Sequence, residues 1–210
     1  MTYVLSLERE VVENNETVKI THYAVVARGT AIYPEATRFF YPALGLCGEA
    51  GEVCDRMIPQ SGRKIAVPLL PIIKELGDVL WYITNTAMDL GFTLQDIAEG
   101  VTGGLRCDTF EDMAFQRLKR RDRRSPFLKF TVYSGQVAEV AKKGLRDGYG
   151  TELPAAKRVA VHSALVELLA AMCEFCDKYG VSMDEVAYEN NKKLTDRKKR
   201  DKLQGDGDDR

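Results

Sequence analysis

The chain has 210 residues, a length that suits one globular domain or two small packed halves. Hydrophobic residues make up 45% and charged residues 29% of the sequence. This mixture excludes a disordered chain and, with no run of about 18 apolar residues, a transmembrane protein. Because 30 basic residues are balanced by 31 acidic ones, the net charge of −1 excludes nucleic-acid binding through overall charge.

The N-terminal region, residues 1–30, is interpreted as an extension that precedes the first clear helical pattern. Its stretch MTYVLSLEREVVENN becomes acidic too early for a secretion signal, so we expect a cytoplasmic protein with no membrane partner. Residues 17–20 alternate weakly between polar and apolar side chains and are compatible with a short strand.

Three segments predict amphipathic helices, because apolar or small side chains recur in them at intervals of three and four residues. These segments are residues 44–57, 69–90 and 159–179. Ser182 and Glu185 resemble a capping box that begins a further helix. Since Pro and Gly are sparse and fall at plausible breaks, the pattern predicts an all-α helical bundle.

The histidines and cysteines exclude several metal sites. Two histidines, His22 and His162, are too few for a three-histidine zinc site or for the paired Glu-x-x-His motifs of ferritin-like centres. Five cysteines without regular spacing predict reduced thiols. Cys173 and Cys176 form a C-x-x-C motif, but it lies inside an apolar helical stretch, so we interpret both as core residues.

Two segments of the second half of the chain resemble segments of the first. CGEAGEVC (47–54) aligns with SGQVAEVA (134–141), and DLGFTLQDIAE (89–99) aligns with KYGVSMDEVAY (178–188). The aligned acidic positions are Glu49 with Gln136, Glu52 with Glu139, Glu75 with Ala164 and Asp78 with Glu167. Either the chain is duplicated and its second unit has lost half of the acidic set, or amphipathic patterning alone produces the likeness.

The repeat predicts how the rest of the chain is divided. After the extension come a first helical unit with the acidic residues (31–104), a basic connecting segment (105–126), a second, degenerate unit (127–200) and a polar tail rich in Gly and Asp (201–210). The connecting segment contains RLKRRDRR (117–124), which is either a solvated helical face or a positive rim that attracts an anionic substrate.

Two acidic pairs, Glu49 with Glu52 and Glu75 with Asp78, have the same spacing of three residues. Residues three apart share one helical face, so each of two helices presents two carboxylates beside its apolar stripe. If these helices pack antiparallel, the four carboxylates converge. Two unit charges about 4 Å apart repel by about 4 kcal/mol at an effective dielectric of about 20, so a converging cluster requires a cation.

A cluster of carboxylates offers only oxygen ligands, which favour Mg²⁺ or Mn²⁺ over zinc. Because Mg²⁺ sites commonly complete their shell with water and substrate phosphates, the cluster indicates phosphate chemistry. The alternative is two surface helices with ordinary acidic faces. Gly48, Gly51 and Gly77 lie in the same helices, where small residues allow close helix approach or ligand access.

The segment YPALGLCGEAGEVCD, followed by KELGDVLWYI, resembles the Glu-x-x-Glu and Glu-x-x-Asp signature of MazG-type nucleoside triphosphate pyrophosphohydrolases. These enzymes belong to the all-α NTP pyrophosphatase superfamily. The tail ENNKKLTDRKKRDKLQGDGDDR resembles the family's C-terminal ending, in which Asn-x-x-Lys-Leu-x-x-Arg precedes a Gly-rich finish. The resemblance covers residues 33–99 and 178–210, and it implies a bundle of this superfamily's type.

The resemblance also implies roles for seven side chains. The residues implied to bind Mg²⁺ (or Mn²⁺) and to form the catalytic centre are Glu49, Glu52, Glu75 and Asp78. Those implied to contact the nucleotide's phosphates are Asn190, Lys193 and Arg197. Their spacing separately places the last three on one helical face, for which a solvated basic helix end is the alternative.

The chain departs from short single-unit relatives, in which the Asn–Lys–Arg element soon follows the second acidic pair. Here the matching region, AEGVTGGLRCD (98–108), lacks that element, which appears only after the second unit. One chain would thus imitate a two-subunit arrangement with one complete site. Because related bundles associate, we still expect a homodimer, although duplication could make the monomer sufficient.

The leading hypothesis is hydrolysis of a nucleoside or deoxynucleoside triphosphate to the monophosphate and pyrophosphate, by attack of water on the α-phosphorus. Glu52 is a candidate for orienting that water, and Lys193 and Arg197 are candidates for stabilising the leaving pyrophosphate. The alternatives are a non-catalytic nucleotide or alarmone binder and a helical protein whose acidic stripe binds a basic partner. Trp81 and Tyr82 lie near the stripe, but large aromatics at helical spacing are more often core.

Overall fold

A computed structural model describes residues 7–8, 17–57, 67–118, 125–149 and 152–204 of the chain. In these residues the eight α-helices are α1 Ile20–Arg28, α2 Phe40–Arg56, α3 Leu69–Asp89, α4 Leu94–Thr102, α5 Phe110–Leu118, α6 Pro126–Asp147, α7 Ala155–Tyr179 and α8 Met183–Lys199. The only other regular elements described are a 3-10 turn, Glu35–Thr37, and a parallel pairing of β1, Leu7–Glu8, with β2, Val67–Pro68. The prediction of an all-α helical bundle is confirmed.

Two expectations about local structure are corrected. Residues 17–20 do not form a strand, because Lys19 makes an isolated bridge with Thr109 and Ile20 already begins α1. Ser182 does cap α8, but it accepts the backbone N–H of Asp184 at 3.1 Å, one residue before Glu185. A complete capping box occurs instead at the start of α4, in a pair that the sequence pattern did not single out.

Two helical hairpins form the centre of the bundle. The first consists of α2 and α3 and the second of α6 and α7, and α2 also packs against α6. In the first hairpin Tyr41 lies near Tyr82 while Arg56 reaches Glu75, so α2 and α3 run antiparallel. Their apolar stripes meet in the core, where Leu46, Val53, Leu76 and Leu80 are fully buried.

The helix that follows each hairpin packs on the other hairpin. Helix α8, which follows the second hairpin, lies against α3, whereas α4, which follows the first hairpin, lies against α7. Gly77 allows the first of these contacts, since a Cβ there would come within 2.8 Å of the Asn190 Cβ. Residues far apart in the chain are thereby joined at the face of α3 that carries the second acidic pair. The duplication and its domain bounds stay predictions.

Helix α7 is the most deeply enclosed helix of the second hairpin. Its Cys173 and Cys176 are buried free thiols, which confirms their interpretation as core residues. By length and composition α7 could cross a membrane, but 67% of its most apolar window is buried inside the protein. Core helices of water-soluble proteins pass the same test, so this is weak evidence for a membrane span.

Of the predicted basic segment, residues 105–118 and 125–126 are described, whereas residues 119–124 lie outside the described residues. Arg117 does not lie on a solvated rim: it donates to Glu174 at 2.7 Å, and its side chain is 11% exposed. The buried Lys129 ammonium binds the other Glu174 oxygen, also at 2.7 Å. One carboxylate thus links α5, α6 and α7 inside the bundle.

Replacing Gly77 with alanine tests the close contact between α3 and α8. The added Cβ overlaps Asn190, so we expect Gly77→Ala to lower the free energy of unfolding by about 1–3 kcal/mol in urea titrations. The control is Gly135→Ala on α6, where a Cβ meets nothing within 4 Å. That variant is expected to gain up to about 1 kcal/mol from helix propensity, and equal shifts in both variants would contradict the contact.

Candidate metal centre

Three carboxylates meet where α2 and α3 pack together. One oxygen each of Glu49, Glu52 and Glu75 lies within 4.8 Å of the other two, close enough to share a metal ion. Glu75 is buried, Glu49 is partly buried and Glu52 is exposed, so the group runs from the interior to solvent. The two helices therefore bring together three of the four predicted acidic residues on a face that a cation and its water shell can reach.

The fourth acidic residue, Asp78, is turned toward α8. One of its oxygens accepts a hydrogen bond from the Asn190 amide at 3.1 Å, and the other binds the Lys193 ammonium at 2.5 Å. The first two residues of the predicted Asn–Lys–Arg element thus contact the acidic cluster directly. Their partner in this structure is a carboxylate, and Asp78 remains close enough to influence the charge of Glu49.

Asn190 is a buried bridge between three helices. Its amide oxygen accepts the Tyr23 hydroxyl at 2.7 Å, while its amide nitrogen donates to Asp78. These two bonds fix the amide orientation and tie α1 and α8 to α3. Burial and the negative charge of Asp78 raise the pKa of Tyr23 well above its usual value, so Tyr23 stays a hydrogen-bond donor.

An arginine of the protein also enters the cluster. Arg56, four residues after Glu52 on α2, donates from Nε to the buried Glu75 carboxylate at 2.6 Å. Its guanidinium also makes an ion pair with the same oxygen. Arg56 and Lys193 therefore place two positive charges beside the acidic residues, and the cluster is only partly neutralised by them.

Burial and the residual repulsion together keep Glu49 protonated. Burial, followed by the charges of Asp78, Glu52 and Glu75, raises the pKa of Glu49 to about 8, although Lys193 opposes the shift. At neutral pH a proton therefore remains on this carboxyl group in the absence of a cation. A divalent ion would replace that proton with a stronger source of positive charge.

A cavity of about 460 Å³ opens beside the acidic residues. Its charged lining residues are Glu49, Asp78 and Arg197, and its aromatic lining residues are Tyr33, Tyr41, Trp81 and Tyr82. The Tyr33 and Tyr41 rings are stacked with centroids 5.1 Å apart. Trp81 and Tyr82 are thus walls of a cavity that starts at the carboxylates and not simple core residues, although both also contact the core.

Hydrogen bonds hold the cavity wall in place. The Tyr33 hydroxyl donates to Asp89 at 2.8 Å, and Arg28 binds the other oxygen of the same buried carboxylate at 2.7 Å. Phe39 adopts a positive φ of 63° at the start of α2, and its N–H also donates to Asp89. This carboxylate therefore positions the loop that presents Tyr33, since three donors converge on it.

All seven predicted site residues lie around this one region. Glu49, Asp78 and Arg197 line the cavity, Glu52 and Glu75 complete the acidic cluster, and Asn190 and Lys193 hold Asp78. Small residues were predicted to allow close helix approach or ligand access, and the space around the three glycines differs. A Cβ at Gly77 would meet Asn190, whereas one at Gly48 or Gly51 would enter open space.

Sequence reasoning missed several residues that shape the site. Tyr41 and Arg56 were detectable, because both lie on the helical face of α2 that carries Glu49 and Glu52. Tyr23 and Tyr33 left no such signal. They lie on α1 and in the following loop, and only tertiary packing brings them to the cluster.

A curated protein is similar to this chain. The Gene 37 protein of Mycobacterium phage L5 is 32% identical to it over 93 residues, which cover 37% of this chain and 76% of the phage protein. Neither a protein-family model nor a solved structure matches the chain. The name of the phage protein states no activity, so the similarity shows kinship and leaves the function to be argued from the site.

Removing Arg56 tests whether the protein's own cation competes for the cluster. We expect Arg56→Gln to bind Mn²⁺ more tightly than the unmodified protein in calorimetric titrations, because the positive charge that Arg56 places beside Glu75 is lost. The control is Arg146→Gln, which removes an exposed arginine paired with its neighbour Asp147 on α6. Unchanged or weaker Mn²⁺ binding in Arg56→Gln would contradict competition at Glu75.

The raised pKa of Glu49 predicts a pH-dependent stability in EDTA. The folded state keeps this proton up to pH about 8, whereas the unfolded chain releases it near 4.5, so the free energy of unfolding falls as pH rises between these values. Glu49→Gln removes this loss. Its stability relative to the unmodified protein should increase by more than about 1 kcal/mol from pH 5.5 to 8.5 in urea titrations. If the free energies of unfolding of the two proteins change in parallel with pH, the Glu49 carboxyl group has an ordinary pKa.

Proposed function

The chain belongs to the family of the Gene 37 protein of Mycobacterium phage L5, and we propose that it is a metal-dependent nucleoside triphosphate pyrophosphohydrolase on a bundle of the all-α NTP pyrophosphatase type. The reaction would cleave a nucleoside or deoxynucleoside triphosphate to the monophosphate and pyrophosphate. The observation that carries the proposal is the three-carboxylate cluster beside an aromatic-lined cavity, which Glu49 of the cluster lines. This arrangement matches the two chemically different ends of a nucleotide.

The donor set of the cluster fits a hard divalent cation, Mg²⁺ or Mn²⁺. Glu49, Glu52 and Glu75 offer oxygen atoms only, and the retained proton on Glu49 marks a deficit of positive charge there. When bound, such an ion would neutralise phosphate charge and lower the pKa of a bound water. Glu52 is exposed, and we assign its carboxylate to accept a proton from an attacking water.

The cationic side chains would stabilise the leaving pyrophosphate. Asp78 holds the Lys193 ammonium at the edge of the cluster, and Arg197 lines the same cavity. A lysine point charge and an arginine fork both stabilise phosphate oxygens, which gain charge as pyrophosphate leaves. Asn190 is assigned a positioning role, because both of its polar atoms are used in holding Tyr23 and Asp78.

The aromatic lining of the cavity is suited to a nucleobase. Its volume of about 460 Å³ falls within the ordinary range of ligand pockets, about 300–1,000 Å³. Trp81 donates its indole N–H to Thr30 at 2.9 Å, so that ring presents a fixed face rather than a free donor. Stacking on such rings favours planar groups without strong selection among bases.

A second candidate function is a non-catalytic nucleotide or alarmone binder. The observation in its favour is that two of the four acidic residues, Glu75 and Asp78, already bind Arg56 and Lys193. If those ion pairs persist with nucleotide present, the cluster cannot hold a metal ion through all its carboxylates. Tight nucleotide binding without product would then identify the protein as a binder.

The proposed reaction is tested by incubating the protein with each NTP and dNTP plus Mg²⁺ in ¹⁸O-labelled water. We expect monophosphate and pyrophosphate as products, with the label in the monophosphate, because water attacks the α-phosphorus. Release of orthophosphate with a diphosphate would show that another bond is cut. Absence of turnover with the whole panel would contradict the proposal and favour the binder.

Substitution of Glu52 links turnover to the cluster. Glu52→Gln should lower kcat by at least about 100-fold while circular dichroism shows unchanged helicity, because a neutral amide neither binds the ion well nor takes a proton. The matched control is Glu139→Gln, the aligned position of the second unit, where the carboxylate pairs with Lys142 and Lys143. An equal loss of kcat in both variants would show that Glu52 has no specific role in the reaction.

A further inference from the structure

A second cavity lies on the opposite side of α8 from the acidic cluster. It has a volume of about 680 Å³ and runs between α8 and the beginning of α1. None of the seven predicted site residues lines it. The side chains of α8 that face it are Tyr188, Asn191, Lys192, Thr195, Asp196 and Lys199. This cavity, here called the α1–α8 groove, is therefore separate from the candidate metal centre.

The α1–α8 groove is basic in a chain whose net charge is −1. Lys19 and His22 line it from the side of α1, and Lys192 and Lys199 line it from α8. Its acidic lining residue, Asp196, already binds Arg200 through a hydrogen bond of 2.8 Å. Glu189 also pairs with the Lys192 ammonium at 3.7 Å. The three lysines and Arg200 still outnumber the carboxylates of Asp196 and Glu189, which favours an anionic ligand.

Two further features favour a nucleotide over a simple anion. The Tyr188 ring lines the groove with the Lys192 ammonium 6.0 Å from its centroid, so an aromatic face lies beside a cation. The Asn191 side-chain oxygen is buried and has no hydrogen-bond partner among the described residues. Because this oxygen is not accessible to solvent, a ligand hydroxyl or amino group would satisfy it only after the Asn191 side chain turns toward the groove, and a bare phosphate would not.

We propose that the α1–α8 groove is a second binding site, for a nucleoside polyphosphate whose phosphates lie on Lys19, Lys192 and Lys199. An extended nucleic acid suits the groove less well, because Glu189 and Asp196 interrupt the basic surface along α8. Helix α8 carries Asn190 and Lys193 on its other side, so a ligand here binds the helix that holds Asp78. Binding in the groove does not depend on the proposed catalytic function.

The site is tested by calorimetric titration of the full chain with ATP in EDTA, which suppresses metal-dependent binding at the acidic cluster. We expect Lys192→Ala/Lys199→Ala to weaken ATP binding by at least about 10-fold, since charge-assisted hydrogen bonds are lost. The control Lys142→Ala/Lys143→Ala, which removes two exposed lysines from α6, should stay within about 2-fold.

Every other outcome overturns the inference. An unmodified protein that does not bind ATP in EDTA has no such site, and equal weakening in both double variants means non-specific attraction to charge. Loss of binding in Lys193→Ala alone would place ATP at the candidate metal centre. If tripolyphosphate binds as tightly as ATP, the groove does not recognise the nucleoside. If single-stranded DNA binds more tightly than ATP, the ligand of the groove is a nucleic acid. None of these outcomes depends on whether the protein hydrolyses triphosphates.

Discussion

Electrostatic repulsion among the carboxylates that α2 and α3 bring together is the constraint on which the rest of the site depends. Three glutamates share a space where oxygen atoms lie within 4.8 Å of one another, next to a fourth carboxylate on Asp78. Such a group is tolerable only with compensating charge. The protein supplies part of it through Arg56 and Lys193, and retains a proton on Glu49 for the rest.

The fold places the remaining groups around this cluster by crossing the halves of the chain. Because α8 packs on α3, a residue near the end of the chain, Asn190, reaches Asp78 over a separation of 112 residues. Gly77 makes the approach close enough, and Tyr23 of α1 holds the amide from its other side. The same packing gives α8 two different surfaces. One carries Lys193, which binds Asp78, and Arg197, which lines the first cavity; the other faces the α1–α8 groove with Lys192 and Lys199.

Local spacing in the sequence was sufficient for α2, α3 and α7 and for the acidic residues, whereas it singled out no helix at α1, α4, α5 or α6. Glu49 and Glu52 share a helical face because they are three residues apart, and the structure adds Glu75 to them. Spacing could not show that Asp78 turns away from this group to bind α8, since that depends on a contact between distant segments. The stacked pair of Tyr33 and Tyr41 was equally hidden, because Tyr33 lies in a loop whose course is fixed by the buried carboxylate of Asp89. Arg117 was misleading for a related reason: a basic run predicts solvent exposure, but Glu174 offered this arginine a buried partner.

The account depends most directly on whether the acidic cluster binds a divalent cation. The decisive measurement is a crystal structure of the protein with Mn²⁺ and a non-hydrolysable triphosphate, with anomalous diffraction recorded at the manganese absorption edge. The account predicts an anomalous peak within coordination distance of Glu49, Glu52 and Glu75, with Arg56 displaced from Glu75 and the base among the aromatic rings. A map without that peak, in which Arg56 still binds Glu75 and the nucleotide lies elsewhere, would contradict it.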